Sequence, residues 1–310
     1  MLNPKYSDIM IQTVSGSNQD SFNDIVKTGY KKLDEKLNGG LRLGCCYLFT
    51  GLEKSGKSSF IFNILNDRVA NDKKTGILST EMEFDAVIKR MMSIANLDPI
   101  TSPIEEINYY RKQLDANLMF AGKDELTNIT TAKSRRYDFS KFLSSINEME
   151  KEGVDLVIVD NLTTLGAEAG DYKVLGNYTN QLITHVKDKK MAIIFVIHVK
   201  QDTTFRETPE GIRNMIKTGK VKDIFKDSIT VVARPTLKDV YGGGQALSQI
   251  SGGTIMLWRP FQKFDFPGYQ RMGLIIIDSH RYGASADIPV EYDGQTGKFW
   301  EVDEVENNNN

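Results

Sequence analysis

The stretch GLEKSGKSSF, Gly51–Phe60, decides how this chain folds. Its first eight residues have the spacing G-x-x-x-x-G-K-S. The apolar run CCYLFT precedes it, and Phe60, Ile61, Ile64, Leu65 and Val69 follow at helical spacing. A strand entering a Gly-containing loop that opens a helix turns successive backbone N–H groups into one concavity for phosphate oxygens, and the helix adds its positive end. Gly51, Ser55, Gly56, Lys57, Ser58 and Ser59 are the expected nucleotide-binding set. Lys57 would reach the β and γ phosphates of ATP or another NTP, and Ser58 would hold Mg²⁺. The bland alternative is a turn with an exposed lysine. The complete spacing, set between a strand and a helix, argues against it.

Outward from the loop, short apolar runs alternate with amphipathic helical stretches. TGILST, NLMFAG, VDLVIVD, MAIIFVIH, GTIMLW and RMGLIIID read as buried strands. Phe84, Val87, Ile88 and Met91 mark one helix, Phe139, Phe142, Leu143, Ile146 and Met149 a second, and Tyr178, Leu182, Ile183 and Val186 a third. Runs apolar throughout and separated by helices predict an α/β fold, a mostly parallel sheet covered by helices on both faces. DIPVEYDGQTGKFWEV predicts a C-terminal β-hairpin turning near Asp293–Gly297.

The organisation expected is a polar arm or linker over 1–27, one α/β domain over 28–303 and a low-complexity, disordered tail over 304–310. The 310 residues suit one such domain, and a net charge of −2 gives no global field for nucleic acid, so any such contact needs a local patch. The two cysteines, Cys45 and Cys46, are adjacent in an apolar run, too few for zinc and poorly placed for a disulfide. No apolar run is long enough to span a bilayer, and the N-terminus carries neither a signal core nor a transit bias, so no membrane partner and a cytoplasmic location are expected.

Strand ends supply the remaining candidates. Parallel strands deliver their C-terminal ends to one rim. Asp160 closes LVIVD and is the expected second Mg²⁺ partner. Glu81 follows TGILST and is positioned to polarise an attacking water; Glu83 is the better candidate for the helix start. His198 closes AIIFVIH and would bond the γ phosphate and report its loss. Arg281, in IIIDSHRYGAS, could reach a phosphate across a subunit boundary. RNMIKTGKVKDIFK carries Arg213, Lys217, Lys220, Lys222 and Lys226 against one acid, Asp223. RPTLKDVYGGGQALSQ adds Arg234, Lys238 and the flexible Gly242–Gly244. Mobile cations and close backbone approach suit a nucleic-acid backbone, although a solvated helix face is the commoner fate of a charge run.

Taken in order, these segments resemble the RecA-type ATPase core of DnaB-family replicative helicases, a group that includes the phage ring helicases and Twinkle. TGYKKLDEKLNGGLRLGCCYLFTGLEKSGKSS is similar to the family's entry segment and phosphate loop. GILSTEM resembles the strand ending in its catalytic glutamate, and LVIVDNLTTLG its Mg²⁺-aspartate strand. FVIHVK resembles the phosphate-sensor strand. RPTLKDVYGGGQALSQISGGTIMLWR resembles the channel-lining DNA loop, with Gly243 and Gln249 in it, and DSHRYGAS the arginine-finger strand. The family usually carries a Lys two residues before that finger, where this chain has Ser279. The resemblance implies a RecA-like P-loop NTPase and a homo-hexameric ring helicase. Such a ring translocates 5′→3′ on single-stranded DNA in replication, with ATP or another NTP, Mg²⁺, and a separate primase or other replisome proteins as partners. Two rivals share the core: a RecA/RadA-like recombinase or recombination mediator, and a KaiC-like switch ATPase.

Overall fold

A computed structural model describes residues 24–122, 126–131, 134–162, 172–199, 234–236, 240, 252–260 and 270–302. The chain enters through β1 (Ile25–Val26), α1 (Lys31–Lys36) and β2 (Leu41–Arg42), and β1 pairs antiparallel with β2. It then runs through β3 (Cys46–Gly51), α2 (Lys57–Ala70), β4 (Thr75–Ser79), α3 (Phe84–Ile94), α4 (Ile104–Asn117) and β5 (Leu118–Ala121). A small antiparallel pair follows, β6 (Thr127–Thr131) with β7 (Ser134–Tyr137). Next come α5 (Phe139–Lys151), β8 (Leu156–Asp160), α6 (Tyr172–Val186) and β9 (Ala192–His198). The last strands are β10 (Gly253–Trp258), β11 (Met272–His280), β12 (Ala286–Tyr292) and β13 (Phe299–Glu301).

One nine-stranded sheet takes the order β13-β12-β11-β10-β3-β9-β8-β4-β5. From β10 to β5 every neighbouring pair is parallel. From β10 to β13 every pair is antiparallel. The apolar run of β11 is buried from Gly273 to Ile277, as a parallel strand would be. Continuous burial reports cover on both faces, not direction, so the reading of a mostly parallel sheet holds while the direction of β11 was not legible. The expected hairpin is present as β12–β13, closed by Gly297 N–H donating to Asp293 O at 2.8 Å.

Strand alternation divides the core into two layers. Tyr47 and Phe49 of β3 join Phe60, Ile61, Ile64 and Leu65 of α2 and Val87 and Met91 of α3 on one face. Cys46 and Leu48 point to the other, with Phe142, Ile146 and Met149 of α5 and Leu182 and Val186 of α6. Phe60 is fully buried, stacked on Tyr30 at 4.6 Å and on Phe49 at 5.0 Å, with Phe299 edge-on at 5.5 Å. Burying such a ring is worth about 1.5–3 kcal/mol, and here it locks the phosphate-loop helix to the sheet and to the C-terminal hairpin.

The described ends of the domain are tied together. The Glu301 carboxylate accepts from the N–H groups of Lys32 and Leu33, both at 2.9 Å, at the start of α1. Within the same entry segment, Asp34 accepts from Thr28 N–H at 2.9 Å and from its hydroxyl at 2.8 Å. Burial nonetheless pushes the Asp34 carboxyl up to about 6, against those bonds and Lys27. A carboxyl raised on folding contributes stability that is complete below its unfolded value and is lost as pH rises through the folded one. Asp34→Asn is therefore expected to flatten the stability profile. Between pH 4 and 7.5 the parent should lose about 2 kcal/mol more than the variant, as read from urea midpoints at the two pH values.

Candidate active site

The phosphate loop sits where β3 ends. Gly56 has φ +96°, and its left-handed backbone starts α2. Gly51 has no room for a side chain, because a Cβ there would lie 2.5 Å from Leu257 O on β10. Lys57 is buried, and its Nζ donates to Gly51 O at 3.0 Å and Leu52 O at 2.8 Å. Burial pulls its ammonium down to about 8, while Asp160, Glu81 and Glu53 act to raise it.

Sheet register brings the expected rim together. Gly51 stands beside His198, and Ser79 beside Asp160. Beyond β4 and β8 the two chains are clamped. Thr80 N–H donates to Asp160 O at 2.9 Å, Asn161 N–H donates to Thr80 Oγ1 at 3.0 Å, and that hydroxyl donates to Asn161 O at 2.9 Å. The clamp delivers Glu81 to Asn161, whose Nδ2 donates to Glu81 Oε1 at 2.5 Å and also lies 2.8 Å from His198 Nε2. His198 Nε2 is 3.5 Å from Glu81 Oε1. The His198 imidazole, with Asn161 and Lys57 adding, holds the Glu81 carboxyl below its usual range against the effect of burial. Asp160 is buried, and burial raises its carboxyl while a hydrogen bond from Ser58 lowers it.

Two features test the fit of a nucleotide and its cation. Among the described residues the Ser55 hydroxyl, buried inside the loop, has no hydrogen-bond partner, which leaves a donor for a phosphate oxygen. Asp160 and Ser58 offer one carboxylate and one hydroxyl side by side, the sparse donor set suited to Mg²⁺, which keeps its waters and takes its other ligands from phosphates. Among the described residues no group of three or more His, Cys, Asp or Glu side chains is arranged to hold a metal ion by itself. The residues present fit a nucleotide-bound cation.

The other candidates are distributed differently. Ser59 faces the hairpin: a Cβ on Gly297 would come within 3.4 Å of Ser59 Oγ. Arg281 follows β11, which runs antiparallel to β10, and so lies at the opposite rim. Its N–H donates to Gly252 O at 3.2 Å, at the start of β10, whereas Leu257 near the end of β10 pairs with Gly51. Five residues of strand separate the two rims by roughly 17 Å. The Arg281 side chain is exposed. Next to it, Tyr282 is held by the Arg42 guanidinium at 4.6 Å from its ring centre and by the Asn38 amide, which donates to Tyr282 O. Arg234 forms a two-pronged ion pair with Asp287 of β12, at 2.6 and 2.7 Å. Lys217, Lys220, Lys222, Lys226, Lys238, Gly243 and Gln249 lie outside the described residues.

Sequence reasoning passed over two side chains at this site. Asn161 immediately follows the strand-final Asp160, and that adjacency was its only signal. Arg259 follows buried β10; its guanidinium lies 4.2 Å from the Tyr292 ring centre and donates to Gln270 O at 2.6 Å and, at 3.5 Å, to Ser55 O in the loop. A charge directly after a wholly apolar strand was the available clue.

Residues 25–301 match the family model described as DnaB-like helicase C terminal domain. The chain belongs to that family. It is an ATP-hydrolysing DNA helicase of the DnaB-like kind. Its fold is similar to the solved structure entitled "ATPase Domain of G40P", with a TM-score of 0.70, 16% identity, and coverage of 96% of this chain and 98% of that one. It is also similar to "The Structure Of A DnaB-Like Replicative Helicase And Its Interactions With Primase", with a TM-score of 0.69, 16% identity, and coverage of 96% and 67%. A KaiC-like protein, PH0186 from Pyrococcus horikoshii OT3, shares the fold at a TM-score of 0.58 and 14% identity over 90% of this chain and 99% of that one. No curated protein matches the chain. Among the described residues no helix is long and apolar enough to cross a membrane.

Proposed function

We propose that the chain forms a homo-hexameric ring in the cytoplasm that moves 5′→3′ on single-stranded DNA, driven by ATP or another NTP with Mg²⁺. The loop N–H groups and Lys57 bind the phosphates, and Ser58 and Asp160 would hold Mg²⁺, which would supply charge neutralisation to the phosphates when bound. Glu81 polarises the attacking water. His198 senses the γ phosphate, and Arg281 of a neighbouring copy completes the charge stabilisation. The basic window Lys217–Lys226, with Lys238, Gly243 and Gln249, contacts the strand in the channel. The primase-bound relative makes a separate primase a candidate partner.

The observation that carries this reading is the division of the site between two rims. Lys57, Glu81, Asp160 and His198 share one edge of the sheet, while Arg281 is exposed on the other, roughly 17 Å away and beyond the reach of an arginine side chain. A head-to-tail contact between copies brings the two edges together, the geometry that closes into rings.

The test is steady-state hydrolysis with and without single-stranded DNA at low salt. Stimulation by DNA is expected. Neutralising Lys217, Lys220, Lys222 and Lys226 together should weaken DNA binding and make its salt dependence shallower by about 0.7 per lost phosphate contact. The fold shared with a KaiC-like protein supports the second reading, a switch ATPase. That reading requires hydrolysis indifferent to DNA and unchanged by the four substitutions.

A further inference from the structure

One atom joins the two groups that must act in sequence. Asn161 Nδ2 donates to Glu81 Oε1 and lies 2.8 Å from His198 Nε2. A carboxylate only accepts hydrogen bonds, so Glu81 fixes which end of the Asn161 amide faces it. An amide nitrogen only donates, so a ring that takes this bond accepts at Nε2 with its proton on Nδ1, whereas a ring carrying a proton on Nε2 gives up the amide and faces Glu81 Oε1, 3.5 Å away. The amide carries two hydrogens, one for each partner.

The main chain beneath this side chain is fixed independently. Thr80 binds both the N–H and the C=O of Asn161, and Asn161 is fully buried. Thr80 is also the residue preceding Glu81. The side chain therefore swings from an immobile base between the ends of β4 and β9, and neither Glu81 nor His198 can shift without changing what the amide offers the other.

The geometry points to Asn161 as a positioning residue that couples Glu81 to His198, linking water activation to phosphate sensing. The coupling rests on the roles proposed above for those two residues. When His198 turns toward a γ phosphate it gives up the amide, and the hold on the Glu81 carboxylate changes at the moment the water must be polarised. When phosphate leaves, the amide recovers both partners.

The experiment measures kcat and KM for ATP, with nucleotide affinity, in full-length Asn161→Leu, Asn161→Ser, His198→Ala, the Asn161→Leu/His198→Ala double variant and Glu81→Gln. Leucine keeps the volume and donates nothing. Its kcat is expected to fall about tenfold or more, with KM within about twofold of the parent. Serine is one bond shorter than the amide and reaches neither partner from the fixed main chain, so its kcat should fall as that of leucine does. It also carries the comparison if the leucine protein fails to fold. The double variant should lose little beyond the worse single variant, because both break the same link. Parent-like kcat in Asn161→Leu, or losses that multiply in the double variant, overturn the coupling while Glu81→Gln remains inactive. An active Glu81→Gln protein instead removes the water-activating assignment, and the coupling falls with it.

Discussion

Lys57→Ala is expected to lower hydrolysis by about a thousandfold, the scale on which removing a preorganised charge from a transferring phosphoryl group acts. Lys57 is buried at the mouth of the loop, and among the described residues its ammonium donates to the carbonyls of Gly51 and Leu52. Those are main-chain partners that a phosphate oxygen can replace without loss of hydrogen bonding. Its charge also faces Asp160 and Glu81, two carboxylates that repel an incoming triphosphate when it is absent. The loss should therefore appear in nucleotide affinity as well as in turnover. Phosphate release and titration with a fluorescent nucleotide read the two separately. Undiminished turnover would remove the whole phosphate-loop reading, because the loop's other lysine, Lys54, is exposed rather than buried against the loop carbonyls.

How much of this was legible in the sequence depends on whether a residue acts through its own strand or through a neighbour's. Asp160, Glu81 and His198 each stand at the end of an apolar run and Lys57 in the loop that follows one, and parallel strand order alone sends them to one rim. Asn161 acts across strands, through an amide shared between β4 and β9, and nothing in LVIVDNLTTLG marks that geometry. Helix α4 was not read for a similar reason. IEEINYYRKQLDAN buries only Leu114 and Asn117, too little apolar repeat for a helical signal. Its Ile104 and Tyr109 are exposed instead, at 61% and 65%. Arg234 looked free in the sequence because Asp287 is 53 positions away; only the fold of β12 brings that carboxylate to it. The antiparallel course of β11 was hidden in the same way, and it turns out to be the feature that sends Arg281 to the far edge.

That placement makes the second large effect specific. Arg281→Ala is expected to reduce hydrolysis by about a thousandfold or more, the range attributed to an arginine finger, while nucleotide affinity stays close to the parent's. The exposed guanidinium touches nothing in its own phosphate loop, so its removal leaves the binding cradle whole. The flanking scaffold is also independent of it, since Arg42 and Asn38 hold Tyr282 and the main-chain bond to Gly252 survives truncation of the side chain. The decisive measurement mixes two inactive proteins. Arg281→Ala supplies an intact loop, and Lys57→Ala an intact finger. If the site is shared between copies, about one quarter of the interfaces in an equal, random mixture carry both, and hydrolysis returns above either protein alone. If energy transfer between labelled copies shows that the two proteins co-assemble and hydrolysis stays at zero, the finger does not act across the boundary. The roughly 17 Å between the rims would then leave Arg281 no phosphate to reach.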